Sequence, residues 1–509
     1  MSRRSQDAPL LITALFMSLA LLGGGYWLVR SNGLLGNESP TPSTTHNPQG
    51  GPAPSLSSGE QVLLADSPDK LAAAAAGQAG DPTQAIALLR KSLQQRPNDP
   101  EALIYLNNWL AREAPQRTIA VVVPAANLPD VAKELLRGVA QAQAQWNQGD
   151  RERSGPKPAW RLRVVIADDS NNPVTAKAVA ETLAADPRVL GVVGHFSSTT
   201  SLAAAGVYQR AGLPMISPSS TAVTLSGLGD AVLRTVPSDR QAGQALAMVA
   251  RQQLKLARVS VFYNPKSAYS QSLKTEFVQQ FMADGQGQVQ LQEMGSDPID
   301  AQRAIGQAQS FKTEGLVLFG ERQSQGSEGL VLLGDRSTLP SALAIVEANQ
   351  GRLPVLGGDS IYSLDLLKLG ASAQGTILAI PWHSDLPQSL DFAKAMRRRW
   401  GGDVNWRTAM AYDAAQALIQ AIDQEITQKP DQKPNQKPVS SSNLNEAQDP
   451  TRSAVKAALH RADFQAAGAS AAVRFATTGD RSLPLVLITV REGNRSGTGF
   501  DFRLLNPSP

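Results

Sequence analysis

Cysteine is absent from the chain. That excludes disulfides, thiolate metal sites, cysteine nucleophiles and a lipid-modified cysteine anchor together, and it leaves the redox compartment open. Histidine is scarce: His46, His195, His383 and His460 lie far apart in sequence, and no two have the spacing of a metal site. No metal site and no cofactor are therefore expected. An excess of either charge is also missing. The 48 Lys and Arg against 44 Asp and Glu leave a net charge of +4, and the basic residues are scattered, so no nucleic-acid partner is expected. There is no G-x-S-x-G elbow, no G-x-x-x-x-G-K-[ST] phosphate loop and no H-E-x-x-H. Asp168-Asp169 reads as a turn and helix cap rather than an acid–base or metal pair. A non-enzyme is expected, with a hydrolase the remaining alternative.

One long apolar run is present. Arg3 and Arg4 precede Leu10 to Val29, which is interrupted only by Thr13, Ser18 and three glycines. About 20 such residues span a bilayer core, and the leading positive charge favours a cytoplasmic N-terminus. Residues 1–30 are read as a membrane anchor or signal segment, with no A-x-A-like site directly after the run. Residues 31–60 are rich in Pro, Ser, Thr, Gly and Asn, as in Ser39-Pro40-Thr41-Pro42, and read as a disordered tether. Residues 61–116 carry helical patterns opened by Asp81-Pro82 and divided by Pro97-Asn98-Asp99-Pro100. They resemble one tetratricopeptide repeat and the start of a second. One copy is too short for a solenoid, so the segment is either a helical hairpin packed on the main domain or a docking module for a protein partner.

From Arg117 the chain alternates apolar, β-branched strands with helices. Strands are expected at Ile119–Val123, Leu162–Ile166, Leu190–Val193 and Pro214–Ile216, then at Val259–Tyr263, Leu316–Phe319, Leu330–Leu333, Pro354–Leu356, Thr376–Ile380, Val473–Phe475 and Leu485–Val490. Fully apolar strands in this alternation predict parallel sheets covered by helices on both faces. Two successive series predict an α/β molecule of two lobes: lobe 1 over residues 117–237 and 381–472, lobe 2 over 238–380 and 473–505. A ligand cleft is expected between them. Glu314 to Gly320 is nearly repeated as Glu328 to Gly334, and residues 429–450 form a Lys-Pro, Asn, Gln and Ser-rich loop expected to be disordered.

Two strand ends carry the chemistry. Val193-Gly194-His195-Phe196-Ser197-Ser198-Thr199-Thr200 and Ile216-Ser217-Pro218-Ser219-Ser220-Thr221 each end a buried strand in a cluster of hydroxyls. A helix N-terminus with such hydroxyls suits a carboxylate, although the same residues also serve as ordinary caps. These loops, with Asp168-Asp169, Arg234-Thr235-Val236-Pro237-Ser238-Asp239, Tyr269, Gly357-Gly358-Asp359, Ala411-Tyr412-Asp413-Ala414 and Phe475 to Asp480, occur in one order over nearly 390 residues. In that order they resemble the branched-chain amino-acid-binding family of ABC-transporter solute receptors. The resemblance implies a two-lobed type I periplasmic binding fold, preceded here by the short all-α segment. It implies ligand-binding roles for Ser198, Ser219 and Thr221 at a ligand carboxylate, Asp359 at its ammonium and Tyr269 as an aromatic cover. The expected ligand is an amino acid or similar small polar solute, delivered to an ABC permease by a monomeric receptor. That receptor would sit on the periplasmic or extracellular face, held to the inner membrane by the N-terminal helix. The alternative is a membrane-anchored sensor or scaffold that uses the fold without transport. The segment Ala125-Ala126-Asn127-Leu128-Pro129 is shorter than the family pattern, and no ligand contact is assigned there.

Overall fold

The computed structural model describes residues 54–64, 67–148, 158–295, 297, 299–311, 326–427 and 450–505. The apolar run at 10–29, the first Gly-Leu-Val-Leu copy at 315–318 and most of the 429–450 loop lie outside these residues. Among the described residues no helix is long and apolar enough to cross a membrane.

A short strand, β1 (Ser55–Ser57), lies inside what was expected to be tether. It pairs antiparallel with a later strand of lobe 1, with Ser57 opposite Ile166. Three helices follow: α1 (Pro68–Gln78), α2 (Pro82–Gln95) and α3 (Pro100–Leu110). Each starts the same way. Ser67, Asp81 and Asp99 cap them through side-chain oxygens, and each is followed by a proline in the first turn. Proline loses nothing there, since its missing N–H would have had no partner. The three helices share a core with lobe 1. Leu89, Leu103 and Ile104 are buried in one cluster with Val121, Leu135 and Val164. Lys70 is fully buried between Asp99 and Glu101, 2.9 Å from each. Asn108 acts as a polar stitch: its Oδ1 accepts from the Val164 amide at 2.9 Å and its Nδ2 donates to the Val164 and Ser58 carbonyls. The segment is packed on lobe 1 along this whole face.

Lobe 1 contains β2 (Gln116–Val123), α4 (Pro129–Gln148), β3 (Arg161–Asp168), α5 (Pro173–Ala185), β4 (Val189–Val193), α6 (Ser198–Ala211), β5 (Met215–Ser217) and β6 (Val232–Arg234). Its sheet order is β1-β3-β2-β4-β5-β6, parallel except for β1. The chain then crosses to lobe 2, with α7 (Asp239–Met248), β7 (Arg258–Tyr263), α8 (Ala268–Phe281), β8 (Gln288–Glu293), α9 (Ala301–Gln309), β9 (Gly329–Leu332), α10 (Leu339–Asn349), β10 (Val355–Gly357), α11 (Leu364–Lys368) and β11 (Ile377–Ile380). It returns to lobe 1 with α12 (Leu390–Trp400), α13 (Trp406–Thr427) and α14 (Arg452–Leu459), and ends in lobe 2 with β12 (Val486–Glu492) and β13 (Phe500–Leu504). The second sheet has the order β13-β12-β11-β10-β9-β7-β8; β12 alone is reversed, pairing antiparallel with both β11 and β13. The second copy of the repeated sequence, β9, lies in the middle of this sheet between β7 and β10.

Residues 473–480 stay with lobe 1, against expectation. No strand forms at Val473–Phe475; instead Val473 bridges Ala466 and Asp480 bridges Arg234 of β6. Two buried guanidiniums hold this turn. Arg234 pairs with Asp480 at 2.7 Å and donates to the Ala222 carbonyl, and Arg481 pairs with fully buried Asp413 on α13. The last crossing therefore falls after Arg481.

Helices α4 and α13 pack closely at Gly138, which meets Thr408 and Tyr412 of α13. A Cβ there would lie 2.3 Å from the Thr408 carbonyl oxygen and 2.5 Å from the Tyr412 nitrogen. These are backbone atoms, so the helices themselves would have to part. Gly138→Ala is expected to lower the unfolding free energy by about 1–3 kcal/mol despite alanine's better helix propensity; denaturant titration would show it, and an unchanged midpoint would refute the close approach.

Candidate functional site

The two hydroxyl-rich loops of lobe 1 are stapled to each other. Ser217 Oγ donates to the His195 carbonyl at 2.8 Å and Ser219 Oγ to the Phe196 carbonyl at 2.7 Å, while Ser198 Oγ accepts from the Ala222 amide at 3.1 Å. Ser220 Oγ lies 2.8 Å from Ser201 Oγ. His195 is built into the same frame. Its ring is wholly buried, with Nδ1 2.7 Å from Asp169 and Nε2 3.0 Å from the Tyr208 hydroxyl. Asp168 accepts from the Ser170 and Ala126 amides, so this acidic pair serves turns and a histidine. Most of the hydroxyls singled out in the sequence therefore hold the loops together. Ser198, whose oxygen accepts, keeps its proton to donate, and Thr221 Oγ1 is buried without a well-aligned hydrogen bond.

Lobe 2 faces Thr221 with two acids and a tyrosine. Tyr269 stands in the first turn of α8, which Ser267 caps. Its hydroxyl rests against Gly358, where a Cβ would lie 2.2 Å from it. Only glycine admits the ring at this position. Asp359 follows directly, beyond the end of β10. Asp239 opens α7 where the chain crosses between lobes, and its amide donates to the Thr221 carbonyl at 2.8 Å. Thr221, Asp239, Tyr269 and Asp359 line one void together with apolar residues including Leu273 and Leu485. Thus three of the five residues predicted from the sequence, Thr221, Tyr269 and Asp359, meet at the void, whereas Ser198 and Ser219 are not among its lining residues. Asp239 is the lining residue that sequence reasoning passed over. Following Pro237-Ser238 at a helix start, it reads as an ordinary first-turn acid.

The void is small, about 10 Å³, which is room for roughly one water. The open cleft expected from the sequence is shut in this arrangement. Hydrogen bonds that cross between the lobes include those from the Val223 amide to Ser272 Oγ at 3.0 Å, from the Ala268 amide to Thr199 Oγ1 at 3.1 Å, and from Arg407 Nη2 to the Asp359 carbonyl at 3.4 Å. A larger cavity of about 240 Å³ lies against Tyr362, His383 and Phe502. Its acids Glu134, Asp403 and Asp501 already have arginine partners, Arg407, Arg397 and Arg503, so it carries less unanswered charge.

The electrostatics of the small void are unbalanced. Both carboxylate oxygens of Asp239, Thr221 Oγ1 and the Tyr269 hydroxyl are buried without a well-aligned hydrogen bond, and what partners they have are hydroxyls and acids of the same cluster rather than cations. No basic side chain lines the void. Burial pushes the Asp239 carboxyl up to about 7, with nearby Asp359 adding to the rise and Thr221, Ser272 and Arg234 opposing it. Burial likewise pushes Asp359 up to about 6 against the pull of Arg407 and a hydrogen bond from the Tyr269 hydroxyl. Burial and the two acids raise the Tyr269 hydroxyl well above its ordinary value. Such a site can hold protons or a cationic group, and it disfavours an anion by itself.

The sign of the pH dependence follows. Both acids have folded-state values above the unfolded value of about 3.9, so the folded chain binds more protons between about pH 4 and pH 7. Without solute, stability should fall as pH rises through that window. Asp239→Asn should flatten part of this fall and be more stable than the native chain at pH 8, by about 1–3 kcal/mol. Thermal unfolding at pH 5 and pH 8 measures both; equal slopes for the two proteins would contradict the assignment.

A family model for periplasmic binding proteins matches residues 126–495. An amino acid binding protein of Pseudomonas aeruginosa is 34% identical over 139 residues, 27% of this chain and 35% of its own length. The Leu/Ile/Val-binding protein of Escherichia coli is 31% identical over 114 residues, 22% of this chain and 30% of its own length. The chain thus spans about a third of these curated relatives. Each is named for a solute it binds, not for a reaction. Among solved structures, a leucine-binding protein of Thermotoga maritima superposes with a TM-score of 0.60 at 21% identity, covering 77% of this chain and 99% of its own. A branched-chain amino acid transporter substrate-binding protein of Streptococcus pneumoniae, crystallised with isoleucine, gives 0.58 at 17% identity, covering 77% and 100%. At these identities the likeness is one of fold, and it is the type I periplasmic binding fold expected above. Two helix-covered sheets, three crossings between lobes and a family match over well over half of the sequence lead to one statement: the chain belongs to the periplasmic binding protein family.

Proposed function

We propose that the chain is an extracytoplasmic receptor for an amino acid or similar small solute bearing an ammonium group, which it binds between its lobes and delivers to an ABC permease. One observation carries this reading: two buried carboxylates and two buried hydroxyls meet at an interlobe void that no basic side chain lines. An ammonium answers that charge. The hydroxyl protons of Thr221 and Ser198 suit the carboxylate of the same solute, and charge-assisted hydrogen bonds of both kinds are strong. The amino-acid ligands named for the relatives point the same way.

The solute enters when the lobes part, because the shut void holds about one water. Closure is then favoured by as much as the solute prefers the closed site over the open one. The interlobe hydrogen bonds reform around it, and Tyr269 moves aside from Gly358 to cover it. Membrane attachment through the N-terminal apolar run would place this receptor beside its permease.

A thermal-shift screen of the full chain against amino acids, amides and sugars tests the reading. A solute at 100 times its dissociation constant should stabilise the fold by about 2.7 kcal/mol. Asp359→Asn should weaken an amino acid by about 10- to 100-fold, the worth of one charge-assisted hydrogen bond. If no solute bearing an ammonium moves the melt, the receptor role is wrong; if Asp359→Asn leaves affinity unchanged, Asp359 is not its partner.

A further inference from the structure

We infer that the solute carries a second positive group besides its α-ammonium, as in a diamino acid, and that Asp239 takes it. This rests on the receptor reading above and narrows its substrate class. The argument begins from the number of acids. One ammonium can neutralise one carboxylate, yet Asp239 and Asp359 both line the void. Asp239 is fully buried, neither of its oxygens meets a cationic side chain, and the Thr221 and Ser272 hydroxyls only partly offset its burial.

The neighbouring cations are committed elsewhere. Arg234 is held by Asp480, the Ala222 carbonyl and Ser226 Oγ at 2.5 Å. Arg407 pairs with Glu134 and donates to the backbone carbonyl of Asp359, and the attraction of its charge only partly offsets the burial of the Asp359 carboxylate. Removing an unpaired carboxylate from water costs several kcal/mol, and a second one nearby adds repulsion. A solute with one positive charge leaves that cost standing at one of the two acids, which must then keep a proton. A solute with two positive charges removes it at both.

The walls suit the rest of such a molecule. Pro237, Ala242, Leu273, Ala379 and Leu485 line the void around the acids. A short methylene chain between two ammonium groups packs against apolar side chains while its ends reach the carboxylates. The phenol of Tyr269, buried beside Asp359, adds an aromatic face to which a cation is also attracted.

The test compares pairs that differ by one amine. Calorimetric titration of the full chain with L-ornithine against L-norvaline, and with L-lysine against L-norleucine, removes the terminal ammonium while keeping the carbon chain. The diamino partner should bind at least 10-fold tighter in one pair. Near pH 6.5 it should also release more protons, read as a larger dependence of the heat on the ionisation enthalpy of the buffer. Asp239→Asn should bring the affinity ratio of that pair toward one. Equal or tighter binding of norvaline and norleucine by the native chain overturns the second charge and leaves the amino-acid receptor standing. Binding of none of the four overturns the receptor role itself. A diamino preference that survives Asp239→Asn removes Asp239 from it.

Discussion

Two carboxylates placed on one side of a dry interlobe seam set the terms for the rest of the site. Asp239 and Asp359 both belong to lobe 2, while the Thr221 hydroxyl beside them belongs to lobe 1. When the lobes are apart, water solvates all of these groups. When they are together, something must replace it. In the shut form that replacement is incomplete, which is why burial dominates the titration of both acids. In the receptor proposed above, closing would be coupled to the uptake of positive charge, whether as protons or as a solute. The coupling needs no moving part beyond the hinge.

The lobe 1 side of the seam is held by its own hydrogen bonds. The serines of its two loops bond mainly to the carbonyls and hydroxyls of each other's loop, and His195 is clamped between Asp169 and Tyr208. A loop whose polar groups are already satisfied does not adapt to each new solute. Adaptation falls to lobe 2, where Tyr269 is restrained mainly by its packing on Gly358 and Leu273.

Much of the architecture was legible in the chain. Proline after Ser67, Asp81, Asp99 and Asn172 marks four helix starts, because the cap and the missing N–H are local properties. The apolar β-branched runs placed the central strands, since buried parallel strands have no polar face to hide them. Edge strands were harder. β8 reads Gln-Val-Gln-Leu-Gln-Glu and is half exposed, so its composition resembles that of a loop. β1 lies in a Pro- and Ser-rich stretch and is a strand because of the partner it meets, not its own propensity. The site divided along the same line. Asp359 and Tyr269 stood in an ordered series of motifs. Asp239 looked like any helix-opening acid, and what distinguishes it is burial against residues distant in sequence. Its neighbours Ser198 and Ser219 had the right chemistry, but their bonds to the adjoining loop are visible only once both loops are in place.

The stitch made by Asn108 and the β1–β3 ladder has a mechanical consequence. Whatever holds the chain ahead of Pro54 pulls directly on lobe 1, through a strand paired antiparallel to β3 and a helical layer that shares its core. Lobe 2 has no part in that path; it hangs from the three crossing segments. In the receptor proposed above, lobe 1 with its helical layer would be the stator and lobe 2 the swinging arm, so a surface that reads whether the seam is shut would read the arm against a fixed mount.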